Sequence, residues 1–171
     1  MRAFDGIASI DQQLLLATHA SSHWVLRRSR ALSRTADGYF YILFPVVLAL
    51  VSVQGMVFLQ HAALAFSLER GVYWLLKNGF RRRRPSELLP GFHSRITAAD
   101  QFSMPSGHTS GAFLFVTLLA LHFGPVAAPL YAWSAAVGVS RVALGVHFPS
   151  DTVLGAALGT SLGLLTSLYL P

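Results

Sequence analysis

From Gly38 to Leu68 the chain carries no charged residue, and uncharged runs return at 109–123, 126–140 and 152–170. About 20 apolar residues cross a hydrocarbon core about 30 Å thick as a helix, so runs of this kind read as transmembrane spans. The first run is too long for one span and too short for two. It predicts a helix over 38–54, a tight turn near Val53-Gln54-Gly55, and a second helix over 56–79 that continues past the first charges. The last three runs predict the third, fourth and fifth spans, separated by Phe123-Gly124-Pro125 and by the stretch Ser140 to Asp151. The fifth is rich in small residues, Gly155, Ala156, Ala157, Gly159 and Gly163, which let neighbouring helices approach closely. The pattern is that of an all-α, multipass transmembrane helical bundle of about five spans.

Outside these runs the pattern changes twice. Over residues 3–35, apolar positions such as Ile7, Ile10, Leu14, Leu15 and Trp24 recur at roughly helical spacing beside Arg27, Arg28, Arg30 and Arg34. Segment 1–37 is therefore expected to form one or two amphipathic helices, either lying in the membrane interface or packed on the bundle. Residues 80–106 lose all helical periodicity and carry RRRRP, Glu87, a Pro90-Gly91 turn signal, His93, Arg95 and Asp100. Loops this long are commonly lids or binding elements, so this one is expected to be the active-site loop. Within the second span, Glu69, Tyr73 and Lys77 recur every four residues and share a face directed into the bundle. Glu69 with Arg70 reads either as a buried pair or as support for a proton path.

Parity then decides which helix ends meet. If span two ends on one side, span three starts there, span four returns there and span five leaves from it. Lys77, the 80–106 loop and Ser140 to Asp151 all lie at that one membrane face.

Composition narrows the class. The chain has 171 residues, 53% hydrophobic and 12% charged, with a mean hydropathy of +0.52, too apolar for an ordinary soluble domain and of a length that suits a single one. Its net charge of +6 and pI near 10.5 do not imply nucleic acid here, because basic residues on such a chain mark loops near anionic headgroups or a phosphate site. With no cysteine, neither a disulfide framework nor a thiolate metal site can form. No carboxylate cluster offers a magnesium cage.

Three polar blocks gather at the shared face. Lys77 ends a helix, and Arg84 follows seven residues later, directly before Pro85. Guanidinium matches phosphate oxygens as a planar fork, and ammonium supplies a compact charge. Pro105-Ser106-Gly107-His108 opens span three, with Ser106 suited to the N-cap and the free N–H groups there suited to an anion. In SRVALGVHFPSD, Pro149 suits the first turn of span five, so His147 sits just outside that helix and Asp151 one turn inside, within reach of the imidazole. A histidine beside a carboxylate is the minimal unit of nucleophilic or acid-base chemistry.

Together these blocks, K-x6-R-P, P-S-G-H and S-R-x5-H-x3-D, resemble the type-2 phosphatidic-acid phosphatase family, which also includes vanadium haloperoxidases and glucose-6-phosphatase-like enzymes. The resemblance spans Lys77 to Asp151. It implies a metal-independent lipid phosphatase without a cofactor, acting on a lipid phosphate or diphosphate. His147 would attack phosphorus to give a phosphohistidine, Asp151 would orient its ring, and His108 would protonate the leaving group and later activate water. Lys77, Arg84, Ser106, Gly107 and Arg141 would bind the phosphoryl oxygens. Arg81, Arg82 and Arg83 match no motif position and are read as contacts to headgroups or anionic lipid. A lipid phosphotransferase of the same chemistry and a catalytically silent lipid-binding or transport protein are the alternatives. Counting basic residues by side places the active face in the cytoplasm. The resemblance implies the opposite, the extracytoplasmic side of a bacterial cell membrane, and that is the expectation kept.

Overall fold

The computed structural model describes residues 2–19 and 22–169, with side chains from Ala8 onward. Among these residues every regular element is helical: α1 (Arg2–Thr18), α2 (His23–Arg34), α3 (Tyr39–Val51), α4 (Val53–Phe80), the single turn α5 (Pro85–Leu88), α6 (Gly107–Phe123), α7 (Leu130–Ala143) and α8 (Pro149–Thr166). A short 3-10 segment, Gly124–Ala127, links α6 to α7. The chain rule that proline resists helix interiors explains why α7 starts at Leu130, later than the expected 126: Pro125 and Pro129 occupy the connection. The turn between α3 and α4 shrinks to Ser52 alone, whose hydroxyl caps α4 by accepting from the Gly55 amide at 2.9 Å.

The expected five spans are only partly met by length and composition. Among the described residues, Gly107–Ala127 alone is long and apolar enough to cross a membrane, or two spans qualify if α2 and α3, bent by 43°, count as one. The physical reason is local. α3 and α7, at 13 and 14 residues, fall short of a bilayer core by themselves, and α4 carries Glu69, Arg70 and Lys77.

α6 is the hub, touched by α4, α7 and α8. Its closest partner is α8, because a Cβ at Gly159 would lie 2.1 Å from the Ser110 carbonyl oxygen and one at Gly155 2.6 Å from that of Ser106. Small residues on the last helix thus bring two backbones together where larger ones could not. Phe58, Leu114, Phe115, Leu118 and Val137 are fully or almost fully buried at the core, and Tyr41 and Phe44 pack their rings on Phe115. The outer surface is strongly apolar: Ile42, Leu50, Val53, Trp74, Leu75, Val139 and Val153 are all exposed.

The amphipathic N-terminal helices pack on the bundle. α1 buries Asp11 and Leu15 while leaving Ile10, Leu14 and Leu16 outside, and α2 lays Ser29 and Ser33 along α7. The 3.6-residue period separates these faces.

Candidate active site

The site grows from helix ends. On α4 the four-residue spacing puts Glu69, Tyr73 and Lys77 on the buried face, as expected. Glu69 pairs with Arg70 at 2.9 Å and accepts from the Ser110 hydroxyl at 2.7 Å, while Arg70 lies over the Tyr73 ring. α4 ends at Phe80, and Arg81 to Arg84 run without regular structure into α5. In such a segment side chains alternate sides: Arg81 and Arg83 are exposed, Arg82 is half-buried and Arg84 is buried. That alternation corrects the expectation that all of Arg81 to Arg83 meet lipid. Arg82 turns inward instead, donating to Asp151 at 2.7 Å, to the Ser150 hydroxyl at 2.6 Å and to Asp11 at 2.7 Å.

Arg84 is a hub for the loop. It donates to the carbonyls of Asp100 at 3.0 Å, Val146 at 2.6 Å and Phe102 at 2.9 Å, and it pairs with the Asp100 carboxylate. Asp100 also accepts from Lys77 at 2.7 Å and from the Tyr73 hydroxyl at 2.5 Å, and Lys77 donates to Tyr73 as well. Burial alone would raise the pKa of Asp100, but the hydrogen bonds from Lys77 and Tyr73 and the charges of Lys77 and Arg84 outweigh it and hold the pKa at about 2. A carboxylate therefore already sits on two of the expected phosphate-binding cations.

The Ser140 to Asp151 stretch is buried from Arg141 through Phe148. His147 is 2% exposed, and its Nδ1 lies 3.7 Å from Asp151, an ion-pair separation beyond hydrogen-bond length. Asp151 is held elsewhere: one oxygen accepts from Arg82, the other from the Phe148 amide at 2.8 Å, capping α8. Burial lowers the His147 pKa to about 4, with Arg141 and Arg84 pushing the same way against Asp151. The ring is neutral near pH 7, as a nitrogen nucleophile must be.

The PSGH block divides. Gly107 and His108 line the cavity, whereas Ser106 is fully buried, gives its amide to the Asp151 carbonyl at 2.9 Å and accepts from the Thr109 hydroxyl at 3.0 Å. Ser106 occupies the N-cap position of α6 without a side-chain cap bond and stands behind the residues that line the cavity. At Gly107 a Cβ would come within 3.1 Å of the Tyr73 ring. His108 Nε2 lies 3.0 Å from Asp37, the residue before Gly38, whose φ of 98° turns the chain from α2 into α3. Arg141 donates to the Ser33 hydroxyl at 2.6 Å from α7.

One cavity of about 720 Å³ gathers this set: Lys77, Arg84, Gly107, His108, Arg141 and His147. Asp37, Arg70, Tyr73 and Asp100 also line it, and Ile42 from α3 with Leu59, Ala62, Ala63 and Phe66 from α4 give it an apolar wall. Cations and two imidazoles at one end, with a greasy slot at the other, suit an amphiphile with an anionic head. Sequence reasoning missed Asp11, Asp37 and Asp100 as members of the site. Single acids carry no spacing signal, although Asp37 and Asp100 both lie at loop positions beside motif-bearing helices.

Comparison with known proteins agrees with this geometry. Residues 58–171 match the family described as PAP2 superfamily. Decaprenylphosphoryl-5-phosphoribose phosphatase of Mycobacterium tuberculosis is 36% identical over 93 residues, 52% of this chain and 48% of that protein. Lipid A 1-phosphatase of Rhizobium etli is 36% identical over 98 residues, 55% of this chain and 42% of that one. The chain thus spans about half the length of the curated relatives it matches. Among solved structures, Aquifex aeolicus LpxE superposes with a TM-score of 0.78 at 26% identity, covering 92% of this chain and 94% of the other. The transmembrane PAP2 type phosphatidylglycerolphosphate phosphatase from Bacillus subtilis superposes at 0.76 over 96% of this chain and 86% of its own, and at 23% identity it speaks for the fold.

Proposed function

Because the chain belongs to the PAP2 superfamily, we propose that it is an integral-membrane lipid phosphatase that removes a terminal phosphate from a lipid phosphate or diphosphate through a phosphohistidine. The observation that carries this reading is the shared cavity, in which Lys77, Arg84, Arg141, His108 and His147 stand at one end of an apolar slot.

Phosphoryl transfer depends mainly on in-line placement and on neutralising the equatorial oxygens. Lys77, Arg84, Arg141 and the amide end of α6 supply positive charge without a metal, so turnover is expected to persist in EDTA. His147, neutral and buried, attacks with Nε2 while Nδ1 faces Asp151. A P–N bond forms, the P–O ester bond breaks, and the leaving oxygen takes a proton from His108. In the second step His108 takes a proton from water, whose oxygen attacks phosphorus. The P–N bond breaks and inorganic phosphate leaves. Before the first step the substrate must displace the Asp100 carboxylate from Lys77, which requires the 80–106 loop to yield.

The five-span reading is kept for α3, α4, α6, α7 and α8, because their outward faces carry exposed Ile42, Leu50, Trp74, Val139 and Val153. On that reading α1 and α2 lie at the interface, with Ile10, Leu14 and Trp24 toward acyl chains. The active face is placed on the extracytoplasmic side of a bacterial membrane. A cysteine at Gly124, labelled in intact cells by an impermeant maleimide, would contradict that side.

A panel of detergent-dispersed phosphatidic acid, phosphatidylglycerol phosphate, polyprenyl diphosphates and phosphorylated glycolipids, assayed with EDTA, tests the activity. Phosphate release that His147→Ala abolishes is expected, with an acid-labile phosphoprotein trapped at short times. No release from any member, or full release by His147→Ala, would overturn the proposal. Transfer of phosphate to an added alcohol in place of release would indicate a phosphotransferase.

A further inference from the structure

Three carboxylates face the cavity or its histidines, and each has a different partner. Asp151 is fully enclosed and held by Arg82 and the Phe148 amide. Asp100 is held by Lys77, Tyr73 and Arg84. Asp37 alone among the three bonds a histidine directly, at 3.0 Å from His108 Nε2. We infer that Asp37 is a positioning residue for His108: its carboxylate accepts the Nε2–H of the imidazole and leaves Nδ1 as the atom that exchanges a proton with the leaving oxygen. The inference rests on the acid-base role proposed above for His108.

The surroundings of the ring say why such a partner is needed. His108 sits in the first turn of α6, where the helix dipole is positive. The charged groups facing it are Arg141 from α7, Asp37 from the α2–α3 junction and Asp100 from the long loop, with Lys77, Arg84 and His147 around the same cavity. Most of that field is cationic, and Asp100 is already occupied by Lys77 and Arg84. An acid that begins and ends each cycle as imidazolium needs one anion of its own, held at the nitrogen that does not react. Histidine-carboxylate pairs elsewhere work by this division of the two ring nitrogens.

The support for Asp37 is itself built in. Its amide donates to the Arg34 carbonyl at 3.2 Å, and Gly38 follows in a left-handed conformation that turns the chain sharply into α3. Two residues earlier, the Thr35 hydroxyl accepts from Trp133 at 2.9 Å, and two before that Ser33 accepts from Arg141. Residues 33–37 therefore brace a phosphate-binding arginine and the acid-base histidine from one short piece of chain. Asp37 keeps 43% of its side chain exposed, so an isosteric amide there can be made without opening the core.

The test uses full-length protein in detergent and two substrates that differ in their need for a proton: phosphatidic acid, whose alkoxide must be protonated, and 4-nitrophenyl phosphate, whose phenolate leaves unaided. The first chemical step is read from single-turnover diacylglycerol release and from the nitrophenolate burst. Asp37→Asn is expected to slow the phosphatidic acid step about tenfold or more and the nitrophenyl step less than about threefold, with KM little changed and Asp37→Glu recovering part of the loss. Equal losses on both substrates, no loss on either, or a lower KM with undiminished kcat would overturn the inference; the last would make Asp37 a mere occupant of the site. His108→Ala is run beside it. If His108→Ala turns over both substrates normally, the acid-base reading fails and takes this inference with it. If His108→Ala shows the selective loss and Asp37→Asn does not, the inference alone fails.

Discussion

His147 and His108 line one cavity from different parts of the chain, and they are housed in opposite ways. The His147 side chain is 3% exposed and its carboxylate Asp151 is fully enclosed, 3.7 Å away. The His108 side chain is 25% exposed and its partner Asp37 is 43% exposed, in direct contact at 3.0 Å. The difference teaches a division of labour. A nucleophile must be neutral and fixed, which burial achieves by disfavouring the imidazolium. A group that trades protons with a leaving oxygen and then with water needs an open side and a nearby anion to tolerate its charge.

The largest effect should come from the enclosed member. His147→Ala is expected to lower phosphate release about 10⁴-fold or more, since it removes the group proposed to form the intermediate, and a radiolabelled lipid phosphate assay measures it. Retention of the trapped phosphoprotein in that variant would erase the asymmetry between the two rings.

The frame around His147 comes next. Arg82 joins Asp11 of α1 to Asp151 and Ser150 of α8, and its guanidinium lies 4.3 Å from the Phe148 ring centre. Arg82→Ala strands two buried carboxylates, and stability should fall by about 3 kcal/mol. Thermal unfolding in detergent should show it, and Asp11→Asn, which keeps an oxygen to accept from the Ser150 amide but loses the charge that pairs with Arg82, should show a smaller fall. Unchanged melting in both would mean that α1 is not part of the nucleophile's housing.

On the open side, Asp100 competes with phosphate for Lys77 and Arg84. Asp100→Asn keeps the shape and removes the charge, so inorganic phosphate and vanadate should inhibit about tenfold more strongly, a change of ~1.4 kcal/mol. Weaker inhibition would make Asp100 an organiser of the cations and not their competitor.

The finest test is titration. His147 should stay neutral down to about pH 4, read by imidazole NMR with the resonance assigned through its loss in His147→Ala, and Arg141→Ala should move the transition upward. The sign for folding follows: the folded pKa lies below the unfolded value near 6.5, so the unfolded chain binds the extra proton in between. The contribution is full above pH 6.5 and is lost as pH falls from 6.5 toward 4. A normal titration near 6.5 would remove the electrostatic argument for a neutral nucleophile at His147.

Much of this was legible in one dimension. Uncharged runs mark the long helices, the four-residue spacing of Glu69, Tyr73 and Lys77 marks a buried face, and counting chain reversals brings Lys77, His108 and His147 to one end. These signals survive in sequence because helix period and chain direction are local properties, repeated over many residues. What only the tertiary structure decided was the partner of each charge. Asp11 meets Arg82 across 71 positions, and Asp37 meets His108 across another 71. Ser106 gives its amide to the Asp151 carbonyl, and the Gly155 beside it lets α8 come close enough for that bond. A lone carboxylate or hydroxyl has no period to betray it, and its partner is settled by which backbones can approach, a property of the packed bundle and of no single segment.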